Sequence, residues 1–321
     1  MRFAVIVPVH NRKNITLNYL RQMLEIDPVD AQLDIVIVDD GSTDGTAPAI
    51  RDLYPNIVIL QGDGSLWWTG AINMGVRYAM NAHYDYVLVM NDDLELAKDF
   101  LVRLMEVITA NPGALVSSVL LNKAATGDEE IIAAGFKMVG FFKDTRALHS
   151  GDRYSDDLGE IVNCDLLTGA SLAIPVQVFR AIGIFDNINF PHNWGDFEFT
   201  RRASLKGYAC IVAAKSKVFT EHNQNYPAFY FLNATRWEYL KNLFNYTKFN
   251  YGFKAIRKTS YMHRPILVGT LLYLRRIVGT TRLIILKLLL TKNGLRKVIL
   301  REAKNKVVPQ YVIRMLSKHE P

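Results

Sequence analysis

The segment Tyr84-Asp85-Tyr86-Val87-Leu88-Val89-Met90-Asn91-Asp92-Asp93 decides the fold class. Its apolar centre, β-branched and aromatic, reads as a strand buried on both faces, and it stops at two adjacent carboxylates. In an open α/β sheet, ligands gather beyond the carboxyl ends of the strands. Two acids there can hold a divalent cation, whose usual task is to neutralise a phosphate or pyrophosphate. The same acids would also serve as a loop capping a helix that starts near Leu96.

The flanking sequence alternates strands with helices. Residues 3–9 read as a strand and 14–25 as a helix with Tyr19, Leu20, Met23 and Leu24 inward. A second strand, 33–38, runs into the turn Asp39-Asp40-Gly41-Ser42-Thr43-Asp44-Gly45-Thr46, rich in helix-starting residues. A helix to about Leu53, a strand over 56–61, the turn Gly62-Asp63-Gly64-Ser65 and a helix over 70–81 lead back to the central strand. Beyond it come a helix over 99–111 and a strand over 115–121. The polar stretch 122–163 reads as strands and loops able to lie over a site. The segment 166–175 follows, then a helix over 176–182, a helix entered through Asp196 and Glu198, and strands at 208–213 and ending at 218–222. Such alternation predicts a doubly wound, mostly parallel sheet flanked by helices.

Several function classes are excluded. The first strand is followed by Pro8-Val9-His10-Asn11-Arg12, without GxGxxG, so a dinucleotide site of the Rossmann kind is not expected. No GxxxxGK[ST] occurs, which removes P-loop NTPases. Half of the 321 residues are apolar, a globular composition. Cys164 and Cys210 form no CxxC and are expected to be reduced core thiols of a cytosolic protein; the N-terminus begins directly as a strand, with no signal peptide.

Charge is unevenly spread. The chain carries +7, yet residues 236–321 contain 19 Lys/Arg against 3 Asp/Glu, a net of +16 that leaves −9 for the first 235. This predicts an acidic catalytic body over 1–235 and a basic helical region over 236–321 that faces something anionic. Within 264–290 the apolar runs are broken by Arg275, Arg276, Arg282 and Lys287, and none reaches the roughly 18–20 residues of a membrane span. Basic helices with apolar faces suit the surface of an anionic leaflet. A packing domain or dimer interface is the other reading. Nucleic acid is not expected, since no nucleic-acid module accompanies the charge.

Seven segments in order resemble the family-2 inverting glycosyltransferases of the GT-A fold. They are Val7-Pro8-Val9-His10-Asn11-Arg12, Val38–Thr46, Thr69-Gly70-Ala71-Ile72-Asn73-Met74-Gly75, Asn91-Asp92-Asp93, Thr168-Gly169-Ala170, Gly183-Ile184-Phe185-Asp186 and Gly195-Asp196-Phe197-Glu198. The resemblance implies a metal-dependent enzyme that moves a sugar from a nucleotide diphosphate donor to a hydroxyl acceptor. Pro8, Val9 and Asn11 would line the nucleotide pocket, with Asp39 accepting from the base imide; Gly70 and Asn73 would hold sugar or diphosphate. Asp93 would bind Mn²⁺ or Mg²⁺, Asp92 would reach the ribose or a metal-bound water, and His222 would complete the metal shell. The usual DxD pattern is altered here, with Asn91 in its first position.

Asp196 is the expected general base, taking the acceptor proton from the side opposite the departing nucleotide. In the family the base follows another acid, which Gly195 replaces here. Without catalysis, Asp196 would be a helix-starting acid favoured by the macrodipole. Trp194 and His192 are acceptor-side candidates, Glu198 can orient neighbours, and Trp67 and Trp68 can stack on sugar or base or pack in the core. Gly64-Ser65-Leu66-Trp67-Trp68-Thr69-Gly70 resembles segments of rhamnosyltransferase-type enzymes, which points to a deoxysugar; the expected donor is a dTDP- or UDP-sugar. A lipid-linked glycan acceptor, bacterial surface-polysaccharide assembly and a place at the inner face of the cell membrane complete the expectation. A sugar nucleotidyltransferase and a non-catalytic glycan-binding protein are the alternatives.

Overall fold

The computed structural model describes residues 1–27, 29–123, 129–220, 231–244 and 252–304. The chain forms two compact units. The first takes Met1–Met138, Thr145–His149 and Arg153–Glu221; the second takes Val139–Asp144, Ser150–Asp152 and His222–Pro321.

In the first unit, β1 (Arg2–Val9), β2 (Gln32–Asp39), β3 (Val58–Gln61) and β4 (Tyr86–Met90) run parallel in the order β3-β2-β1-β4. Helices α1 (Lys13–Glu25), α2 (Thr46–Leu53) and α3 (Trp67–Asn81) make the crossovers. The order reverses between β1 and β4, and a doubly wound sheet opens its ligand crevice at such a point. The sheet continues through β11 (Ser171–Pro175), which lies antiparallel between β4 and β6 (Leu115–Lys123), and then β12 (Cys210–Thr220), parallel to β6. The expected doubly wound, mostly parallel α/β sheet is therefore present, with inverted β11 joining its two parallel parts.

Strands that are apolar without interruption are buried on both sides. Ala4, Ile6, Val87 and Val89 face one core, shared with Ile72 and Val76 of α3 and Phe199 of α6 (Gly195–Leu205). Phe3, Val5, Val7, Leu88 and Met90 face the other, shared with Tyr19 and Leu20 of α1 and Phe100 and Leu104 of α4 (Phe100–Ala110). Two-sided burial of β1 and β4 fixes where their ends fall.

Three local expectations need correction. No helix starts at Leu96: β5 (Leu94–Leu96) pairs with β12 there, and α4 starts only after Asp99. The two strands expected near 208–213 and 218–222 are one strand, β12, whose register shifts between Ala213 and Lys217. The stretch 122–163 contributes β7 (Glu129–Ala133), β8 (Phe136–Val139), β9 (Asp144–Ala147) and β10 (Ile161–Cys164). Cys164 and Cys210 are buried and free, as expected of core thiols, and burial pushes the Cys164 thiol up to about 11.

In the second unit the described residues of the basic region are helical. Helix α7 (Arg236–Asn242) starts with a capping box in which Thr235 and Glu238 satisfy each other's backbone N–H groups. Helices α8 (Phe253–Tyr261), α9 (Ile266–Leu289) and α10 (Lys292–Lys304) follow α5 (Val176–Ile182), α6 and α7 in chain order. Phe231, Leu232, Tyr239, Leu243 and Leu295 form this unit's small core. No helix of the described residues is long and apolar enough to cross a membrane.

Candidate active site

At the crevice between β1 and β4, Arg12 reaches across the strand ends. Its Nη1 lies 2.9 Å from Asp92 Oδ1 and its Nη2 donates to Asp93 Oδ2 at 3.1 Å. Asp92 is buried and also accepts from Thr16 Oγ1 at 2.8 Å. Burial pushes the Asp92 carboxyl up, opposed by Arg12 and Thr16. Asp93, one residue on, keeps about a third of its side chain exposed. Desolvation therefore separates two chemically identical neighbours into a support and a reachable acid.

The end of β2 is built as a turn around two carboxylates. Asp39 is buried; its Oδ1 accepts from Ser42 N at 2.9 Å and its Oδ2 from Gln61 Nε2 at 3.2 Å. Asp40 accepts from Gly64 N at 2.8 Å and from Trp67 N at 3.0 Å, tying this turn to the start of α3. Gly41 is at φ +71°, and a Cβ there would stand 2.9 Å from Gly64 N, so both conformation and space require glycine. Asn11, at φ 52°, links β1 to the same turn: its N–H donates to Ser42 Oγ and its Oδ1 accepts from Thr43 N. His10 Nδ1 lies 2.6 Å from Asp40 O, a carbonyl that can only accept, so the proton sits on Nδ1 and Nε2 accepts from Asn11 Nδ2. Pro8 and Val9 pair with Val38 and Asp39 and so lie where these turns converge.

Trp68 connects the strand-end acids to Asp196. Its indole Nε1 donates to Asn91 Oδ1 at 2.9 Å, and the far edge of its ring fits against Gly169, where a Cβ would approach within 2.5 Å. The Gly169 N–H in turn donates to Asp196 Oδ2 at 2.8 Å, while Phe197 N donates to Oδ1 at 2.9 Å. Asp196 stands in the first turn of α6. Part of its surface remains accessible, yet protein closes around the carboxyl, and this desolvation pushes its pKa up against the backbone N–H bonds that lower it.

The absence of an acid at position 195 has a steric cause. A Cβ there would lie 2.6 Å from Thr69 Oγ1, and that hydroxyl is held by donation to Phe190 O at 2.6 Å. Trp194 takes φ +70° to turn the chain into α6, and Trp67 takes φ +56° at the start of α3. Among the acceptor-side candidates, His192 is exposed and meets Trp67 edge-on at 5.5 Å, and Trp194 packs on Phe197 at 5.4 Å.

Some expected roles do not survive. Asn73 is wholly buried, with Nδ2 donating to Phe185 O and Oδ1 accepting from Phe185 N. It clamps the loop before α6 and has no exposed amide for sugar or diphosphate. Gly70 is buried inside α3 beside Leu66 and serves close packing. Asp92 is too enclosed to reach a ribose. Glu198, by contrast, does orient a neighbour: it is buried in an ion pair with Arg202, whose Nη2 also donates to Ile184 O, so it braces the same loop. His222 lies outside the described residues. Arg12 and the bridging position of Trp68 were not signalled by spacing, because both depend on which strand ends the topology places side by side.

Asp93 suits a hard divalent cation by its oxygen donors and exposure. Among the described residues no group of three His, Cys, Asp or Glu gathers to hold a metal. That donor set fits a cation held by one carboxylate and completed by substrate phosphates and water, the arrangement typical of Mg²⁺-like sites.

The fold is of the GT-A type. Residues 4–130 match the family model described as glycosyl transferase family 2. No curated protein sequence matches. Among solved structures, a mannosyltransferase from Pyrobaculum calidifontis in complex with GDP-Man and Mn²⁺ aligns over 98% of this chain and 84% of its own, at 17% identity and TM-score 0.54. S. aureus TarS 1-349 in complex with UDP aligns over 93% and 78%, at 14% identity and TM-score 0.52. GalNAc-T7 with UDP, GalNAc and Mn²⁺ aligns over 70% of this chain at 14% identity and TM-score 0.56, and this chain spans 45% of its length.

Proposed function

We propose that this protein is a metal-dependent inverting glycosyltransferase that transfers a hexosyl group from a nucleotide diphosphate sugar to a hydroxyl acceptor. The observation that carries the reading is the bridge made by Trp68, which joins the Asn91–Asp93 strand end to the Gly169 loop holding Asp196. A reachable acid for the diphosphate side and a fixed acid for the acceptor side are thereby set on one framework. The Mn²⁺ bound by two of the structural neighbours supports the metal, and their nucleotides support the donor class.

Asp93 would hold the cation, which supplies charge neutralisation for the departing diphosphate. Asp196 accepts the proton of the acceptor hydroxyl as its oxygen bonds to the anomeric carbon and the bond to the diphosphate breaks. The Gly169 and Phe197 N–H groups fix the carboxylate's orientation, and desolvation makes it a stronger base than an ordinary aspartate. Asp39, as enclosed as Asp92 and with both oxygens engaged by Ser42 N and Gln61 Nε2, would shape the turn on which a nucleobase rests and not bond to the base itself. The basic second unit suits an acceptor carried on lipid at the inner face of a bacterial membrane, in surface-polysaccharide assembly.

Thermal stabilisation by a panel of UDP-, dTDP- and GDP-sugars, with and without Mn²⁺, tests the reading, since a bound ligand stabilises by mass action. A Mn²⁺-dependent rise is expected for at least one donor and should disappear in Asp93→Ala. Stabilisation by nucleotide that ignores both Mn²⁺ and the Asp93 substitution would overturn the metal assignment. Transfer with retained anomeric configuration would overturn the inverting one.

A further inference from the structure

Helix α9 presents an apolar stripe to solvent, flanked by exposed Arg275 and Arg282. Leu267, Leu271, Leu274, Val278, Ile285 and Leu289 are each between 40% and 75% exposed. At about 100° per residue these six fall within roughly 60° of one another, so they form one stripe along the helix. The opposite face carries buried Leu272, Thr280 and Lys287 and half-buried Arg276, so cations as well as a leucine are turned inward. Lys287 is buried and donates through Nζ to the carbonyls of Phe231 and Leu232. Arg276 Nη1 donates to Thr259 Oγ1 at 2.9 Å. The preceding Arg264 is likewise buried, spending its guanidinium on the carbonyls of Phe142, Lys143 and Thr259.

A helix folded against water arranges itself the other way, with leucines inward and cations outward. From Leu267 to Leu289 the stripe runs about 33 Å at 1.5 Å per residue, longer than a scattered exposed apolar residue would explain. We infer that the Leu267–Leu289 face of α9 lies in the headgroup–acyl boundary of an anionic bilayer, parallel to its plane. The occupant follows from charge: residues 236–321 carry +16. Two copies meeting through this face would oppose like charges, whereas an anionic leaflet attracts them. Because no described helix can span a membrane, an in-plane position is the arrangement that buries the stripe. This deepens the membrane-surface part of the proposed function and does not depend on the transferase reading: it adds apolar insertion by a defined face to attraction by net charge.

The test compares the full-length protein with Leu274→Glu/Val278→Glu, both exposed positions, in cosedimentation with phosphatidylcholine vesicles and with vesicles containing phosphatidylglycerol. Circular dichroism checks that the variant is folded. The wild type should bind the anionic vesicles, keep part of that binding at high salt, and lose at least about tenfold in the double variant. Equal binding by the variant would overturn insertion while leaving electrostatic docking in place. Binding to neither vesicle by the wild type would overturn both. A lipid-free dimer that the double variant dissociates, without vesicle binding, would assign the face to a second copy instead.

Discussion

The indole N–H of Trp68 donates to the side-chain oxygen of Asn91 at 2.9 Å. That bond needs only an acceptor at position 91, which an amide or a carboxylate supplies equally. It accommodates asparagine at the position where the DxD pattern of the resemblance implies an acid. Asn91→Asp should therefore keep the Trp68 contact while adding a negative charge beside Asp93. Half-saturation by Mn²⁺, measured in a metal titration of transfer activity, should fall to lower concentration. An unchanged titration would place the metal away from this strand end.

Arg12 is the counter-ion of a buried acid, so its loss should be felt in the fold as well as in activity. Removing one partner of a fully buried pair costs about 3–5 kcal/mol. Arg12 is 35% exposed, and solvent screening should reduce the loss to about 2–3 kcal/mol in Arg12→Ala. The pH dependence has a definite sign. Asp92 already has its folded pKa raised by burial, and without Arg12 it rises further. A raised carboxyl favours folding at low pH and loses that contribution as pH rises through the folded value. Urea unfolding should show the deficit of Arg12→Ala largest at neutral pH and shrinking under mildly acidic conditions.

Gly195→Ala would press its new Cβ against Thr69. Overpacking of this kind typically costs about 1–3 kcal/mol. Thr69→Ala removes the clashing atoms together with the bond to Phe190 O, so the double variant should be more stable than the sum of the single changes implies. A double-mutant cycle by chemical denaturation measures this, and strict additivity would show that Thr69 does not exclude side chains from position 195.

The sheet was legible because β1 and β4 are apolar runs that end in turn residues or acids, and the second half of β2 is apolar and buried up to Asp39. The positions of Asp93, just past the end of β4, and Asp196, in the first turn of α6, follow from the pattern, while their roles are the proposal. Asn73 misled because a buried amide that clamps a loop and an exposed one that holds a ligand look alike in sequence. Only the carbonyl of Phe185, 112 residues away, separates the two. The long strand β12 was divided because polar Lys215, Ser216 and Lys217 break its pattern at the point where its register shifts. The outward leucines of α9 could not be foreseen, since periodicity shows that two faces differ and not which one turns inward.

Burial raises the Asp196 carboxyl above the ordinary aspartate value. A general base works deprotonated, so transfer should decline as pH falls through that raised value. The acid limb of the kcat profile is expected above the range of a solvated aspartate. A limb at the ordinary value would mean that the acting carboxylate is exposed, and Asp196 would not be that group.

The most direct measurement is kcat of Asp196→Asn set beside its affinity for the donor nucleotide. The amide removes the proton-accepting carboxylate while keeping its size. General-base assistance is typically worth about 10²–10⁴-fold, so kcat should fall by that order. Donor affinity by calorimetry should stay close to wild type, because the substitution touches the acceptor side. A variant that keeps more than about a tenth of wild-type kcat, with chemistry limiting, falls outside that range and would contradict the assignment of Asp196 as the base.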